Sequence, residues 1–138
     1  MNRKIVGLAL AFVLMWSNSA FAASWVFYNR VGKLHTEYID GASVYKDGDR
    51  LTFWVLQVLD RPLSSNYAKQ TLKFEVRLNS PREYRIAESC IYDANNRPGT
   101  PKVNPVEWEP AEEYDNRQFD FALRYAQNRK DPGTRPTP

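Results

Sequence analysis

Along most of the chain, apolar and polar residues alternate with a period of two, which places successive side chains on opposite faces of extended strands. Trp25 to Asn29 reads as a strand, Val31-Gly32-Lys33 as its turn and Leu34 to Ile39 as the return strand. Asp40-Gly41-Ala42-Ser43 breaks the pattern, Val44-Tyr45 resumes it, and Asp47-Gly48 suits a tight hairpin loop because glycine tolerates positive φ. Leu51 to Leu59 is the most apolar run after the N-terminal stretch. Leu51, Phe53, Val55 and Leu59 point one way, and Trp54, Leu56 and Val58 the other. A strand apolar on both faces must be covered on both, so it belongs in the middle of a sheet. From Thr71 to Leu78 the alternation is clean, with Leu72, Phe74, Val76 and Leu78 inward and Lys73, Glu75 and Arg77 toward solvent. Asn79-Ser80-Pro81 turns the chain, and Glu83 to Tyr92 returns it with Tyr84, Ile86, Cys90 and Tyr92 expected on one face.

Periodicity then lapses. Asp60 to Tyr67 reads as a short polar loop, and Asp93 to Pro105, with Asn95-Asn96, Pro98-Gly99, Pro101 and Pro105, as a longer one. Phe119, Ala122, Leu123 and Ala126 follow the spacing i, i+3, i+4, i+7, which predicts a helix from Asn116 to Asn128. Asp115 with Gln118 three residues on resembles a capping box, and Arg124, Arg129 and Lys130 suit the negative end of the helix dipole. Asp131-Pro132-Gly133 stops it, and residues 131–138 read as a disordered tail. The fold class is therefore α+β: an antiparallel sheet of about five to six strands with a C-terminal helix packed on one face.

The N-terminus follows a different rule. Asn2-Arg3-Lys4, an apolar run from Ile5 to Trp16, and Ala20-Phe21-Ala22 have the three parts of a secretory signal, so residues 1–22 are read as removed and residues 23–130 as the domain. The apolar run is shorter than the roughly twenty residues a bilayer span needs. The whole chain has 19 Lys and Arg against 16 Asp and Glu. Loss of Arg3 and Lys4 brings the basic count to 17, so the exported protein has no global field to attract nucleic acid or anionic lipid, and only a local patch can do so. Cys90 is the sole cysteine. It excludes an intrachain disulfide, it is not placed after the signal to carry a lipid anchor, and it is read as a small buried apolar residue. The expected location is periplasmic or secreted, in soluble form.

An early Trp25, the segment Tyr38-Ile39-Asp40 followed by Ser43, Trp54 in the central strand, the strand Arg82-Glu83-Tyr84-Arg85-Ile86 and a late Trp108 before the helix occur in an order that resembles the surface-adhesin protein E family of small exported bacterial domains. The resemblance covers about Trp25 to Tyr125. It implies an antiparallel sheet with one packed helix and a surface role in binding host matrix and plasma proteins. Carried onto this chain, the binding segment is Lys73, Arg77, Arg82, Tyr84, Arg85 and Tyr92. Two features depart from the family: a second cysteine tying sheet to helix is absent, and so is the cysteine that would carry the lipid.

Candidate chemistry is sparse. His35 is the only histidine and reads as an outward surface residue, and no Gly-x-Ser-x-Gly elbow accompanies it, so no catalytic residue is assigned and the protein is read as a non-enzyme. No metal site or cofactor is expected: Glu107, Glu109, Glu112, Glu113 and Asp115 read as a solvated approach to the helix N-terminus. Trp25, Trp54 and Trp108 are expected to pack the core. Lys73 and Arg77 share one strand face and Arg85 lies on the next strand, a gathering suited to an acidic protein partner. Glu75, Glu83 and Glu88, interleaved with them, could instead neutralise that face as cross-strand pairs. The alternative class is a structural or assembly protein of the cell envelope, with Trp54, Leu56 and Val58 forming a homodimer or partner contact.

Overall fold

The computed structural model describes residues 23–103, 107–126 and 135–138. The proposed signal, the helix end at 127–128 and residues 129–134 therefore lie outside the described residues. Eight strands, β1 (Trp25–Val31), β2 (His35–Asp40), β3 (Tyr45–Asp47), β4 (Arg50–Leu59), β5 (Lys69–Arg77), β6 (Glu83–Tyr92), β7 (Lys102–Val103) and β8 (Glu109–Pro110), precede one helix, α1 (Glu113–Leu123). The sheet runs β1-β2-β4-β5-β6-β7, with β3 also on β4 and β8 also on β6, and every pairing is antiparallel. The architecture is α+β with a helix on one face. The strand count is eight rather than five to six, because β7 and β8 have only two residues each and leave no periodic trace.

Local chemistry explains the turns. The β1–β2 loop is Gly32 to Leu34, with Gly32 at φ +54, and the β3–β4 loop is Gly48-Asp49, with Gly48 at φ +58. Both glycines occupy a region that costs an L side chain free energy. The interruption between β2 and β3 is held by Asp40, only 2% exposed, whose carboxylate accepts from the Ser24 amide at 2.8 Å, the Ala42 amide at 3.1 Å and the Ser43 hydroxyl at 2.7 Å. Beside it a Cβ on Gly41 would stand 3.0 Å from the Tyr125 ring, so this glycine lets the turn that follows α1 approach the sheet. Asp40, Gly41 and Ser43 thus shape a break that allows β2 and β3 to pair with different halves of β4.

The helix side of the sheet is the main core. Ile39, Val44, Leu51, Phe53, Val55, Leu72, Phe74 and Val76 pack against Phe119 and Ala122 of α1. Phe53 stacks on Phe74 with ring centroids 5.1 Å apart, and Phe119 meets Phe53 and Tyr84 at 6.0 and 5.7 Å. Burying each such aromatic contributes on the order of 2–3 kcal/mol. β4 is central as its composition requires, and Trp54 and Leu56, on the opposite face, are also buried.

Two expectations about position are corrected. α1 starts three residues earlier than predicted and ends at Leu123: Glu112 is the N-cap, Asp115 reaches back to its amide at 2.9 Å, and the capping pair is therefore Glu112 and Asp115, not Asp115 and Gln118. The amides of Arg124, Tyr125 and Ala126 bond three residues back, tightening the last turn out of the helix. The second correction is on β6. Lys73 pairs with Glu88 and Phe74 with Ile86, leaving Ala87 as the extra residue of a bulge. Alternation resets there, so Tyr84 and Ile86 face α1 while Cys90 and Tyr92 face away, and the four do not share a face. Among the described residues no helix is long and apolar enough to cross a membrane.

Candidate functional site

The face of the sheet away from α1 is built by register. Arg50 stands opposite Arg77, which stands opposite Glu83, and Glu75 stands opposite Arg85. Those residues come from the first turn of β4, the last of β5 and the first of β6, so three guanidinium groups reach the same end of the same face. β8 pairs with the start of β6, Glu109 beside Tyr84, and sets Trp108 next to this end. The Trp108 indole then lies under the cations: its ring centroid is 3.9 Å from the Arg77 guanidinium carbon, 4.5 Å from that of Arg85 and 5.9 Å from that of Arg50. A guanidinium within about 6 Å of an indole face is attracted by the ring quadrupole.

Carboxylates temper the cluster without cancelling it. Arg85 donates to Glu75 at 3.0 Å and Arg77 lies 3.9 Å from Glu83, the cross-strand pairs that alternation allows. Arg50 has no carboxylate partner among the described residues, so the cluster carries an excess positive charge. Farther along, the Lys73 ammonium lies 5.9 Å from the Trp54 ring.

Of the six residues singled out in the sequence, Lys73, Arg77 and Arg85 come together on this open face. Tyr92 shares it at the other end, but it is only 5% exposed and burial raises the pKa of its hydroxyl. Arg82 and Tyr84 are elsewhere. Arg82 donates to Asp120 of α1 at 2.7 Å, and Tyr84 packs between Phe74 and Phe119 on the helix side, where burial, with Asp115 and Glu109 nearby, raises its pKa. Arg50 and Trp108 belong to the cluster and were not singled out for it. Arg50 shares the parity of Thr52 and Trp54 on β4, a signal that counting back from Trp54 reveals; Trp108 was assigned to the core, yet it is half-buried beneath arginines.

A second polar cluster lies on the helix side. Glu37, 5% exposed, accepts from Tyr114 Oη at 2.9 Å and Gln118 Nε2 at 3.1 Å and bonds His35 Nε2 at 2.9 Å. His35 is therefore not the free surface residue expected; its ring is tied to a buried acid. Burial, reinforced by the hydrogen bond to Glu37, pushes the Tyr114 hydroxyl up to about 12. Satisfying both carboxylate oxygens, the network pins the first half of α1 to β2. Among the described residues no three His, Cys, Asp or Glu side chains gather as metal ligands would.

The open-face cluster holds planar N–H donors over an aromatic ring, groups that can pair with carboxylate oxygens. Comparisons of the chain with protein-family models, with characterised proteins and with solved structures find no match.

Proposed function

We propose that the chain is an exported, non-enzymatic binding module that captures an acidic protein partner, a host matrix or envelope protein, through Arg50, Arg77, Arg85 and Trp108, with Lys73 extending the cationic strip. The observation that carries this reading is the convergence of three guanidinium groups on one indole at the end of the open face. A stacked guanidinium loses little freedom on binding and keeps its in-plane N–H donors for a bidentate carboxylate. Arg50, lacking a carboxylate of its own, supplies the unsatisfied charge. Export rests on the three-part N-terminal signal, and it argues against nucleic acid as the partner.

The test is capture of a labelled oligoglutamate peptide by the exported chain, titrated with salt. Arg77→Glu with Arg85→Glu, on a sample shown to be folded, is expected to weaken capture at least about tenfold, or about 1.4 kcal/mol. Binding that survives both substitutions, or that ignores ionic strength, overturns the assignment. Fractionation of producing cells decides the partner's compartment: retention in the periplasm removes the host-matrix role and leaves the envelope one.

A further inference from the structure

The other end of the open face is occupied by the chain itself. Arg135 forms an ion pair with Glu88 of β6, Pro136 is buried, the Trp25 indole N–H donates to the Thr137 carbonyl at 2.9 Å, and Asn96 Nδ2 donates to the Pro138 carbonyl at 3.4 Å. Residues read from sequence as a disordered tail thus lie, from Arg135 on, in a seat made by three separate parts of the fold: β6, the loop after it and β1. The seat has specific chemistry. It offers a carboxylate for a cation, room for a proline ring beside it, and two side-chain donors for the next carbonyls.

We propose that this end of the face is a recognition groove for an extended protein segment carrying arginine followed by proline, and that residues 135–138 fill it in cis as a removable strap. Proline-bearing segments are already extended, so docking one costs little conformational entropy, and an indole N–H aimed at a carbonyl is a common way to hold it. The strap fits imperfectly. The Trp54 indole N–H on the same face and the Arg135 Nε are both buried without a partner among the described residues. A tethered occupant holds its seat through high effective concentration rather than through perfect contacts, which lets a better-matched segment in trans displace it. This groove is separate from the arginine cluster, and it recognises a cation where the cluster recognises anions.

The full chain is titrated with a synthetic Arg-Pro-Thr-Pro peptide labelled at its N-terminus, read by fluorescence anisotropy and by the Trp25 indole N–H resonance. Arg135→Glu repels the strap from Glu88 and is expected to raise peptide affinity at least about tenfold over the unaltered chain. Adding Glu88→Arg should abolish that gain and turn preference toward a Glu-Pro-Thr-Pro peptide. If Arg135→Glu does not fold, Pro136→Ala, which leaves the ion pair, is titrated instead, with a gain of roughly threefold expected. A folded strap variant that binds the peptide no more tightly than the unaltered chain overturns the proposal, as does a charge-swapped variant that still prefers the arginine peptide.

Discussion

The two faces of the sheet are both buried, yet by opposite means. On the helix side, apolar side chains of β2, β4 and β5 meet Phe119 and Ala122, and one buried acid, Glu37, is met by Tyr114, Gln118 and His35. On the open side, Trp54, Thr71 and Cys90 are just as inaccessible, at 1%, 0% and 1% exposure, but around them lie charged and half-buried groups: Lys73, Arg77, Arg85, Trp108 and the segment from Arg135. The first cover is a helix whose removal would expose the core. The second is assembled from single side chains and short segments drawn from several parts of the chain. Burial alone therefore does not mark a surface as structural; the kind of group that provides the burial does.

The strongest way to break this comparison is to damage each cover and compare the losses. Phe119→Ala removes the ring that joins Phe53, Phe74 and Tyr84 and should cost about 3–5 kcal/mol in denaturant unfolding. Glu37→Ala strips the acceptor from Tyr114 and Gln118 and should cost roughly 1.5–3 kcal/mol by the same measurement. Trp108→Ala, on the open side, should cost no more than about 1 kcal/mol, because its contacts are half-exposed cation–π stacks, while acidic-peptide capture falls. A stability loss from Trp108→Ala equal to that of Phe119→Ala would erase the distinction between the faces. Arg30→Ala, which removes an exposed 2.6 Å pair with Asp60 at the far edge, should change stability by less than about 1 kcal/mol.

Alkaline pH sharpens the same contrast. The Tyr114 hydroxyl titrates near 12 in the folded chain against an ordinary 10.0, so the unfolded chain releases this proton first. Its contribution is complete below about pH 10 and is lost as pH rises toward 12. Stability measured across that window should fall, and Tyr114→Phe should flatten the fall.

Much of the sheet was legible because strand periodicity is a local property. The clean alternation of β5 and the two apolar faces of β4 placed both strands and made β4 central, and Gly48 marked its hairpin. The candidate site was only half legible. Lys73, Arg77 and Arg85 share a face by simple alternation, but Arg82 and Tyr84 were grouped with them through the family resemblance, although Tyr84, next to Arg85, alternates to the other face. Tyr92 was put on the face of Tyr84 because the bulge at Ala87 is invisible in a pattern that continues through it. Trp108 looked like a core residue since an indole's burial depends on what folds over it, and β8, only two residues long, carries no periodic signal to show where it goes. His35 looked exposed for the same reason: its partner Glu37 is buried by a helix nearly eighty residues away.

By itself the sequence determined the class of structure, the central strand, the positions of the main turns and the set of cations available on one strand face, all consequences of short-range patterning and of backbone freedom at glycine. Tertiary structure alone decided which cations meet, which tryptophan they stack on and where the last residues settle. Those outcomes depend on register, on one bulged residue and on contacts between segments far apart in the chain, and such contacts form only when the backbone closes on itself.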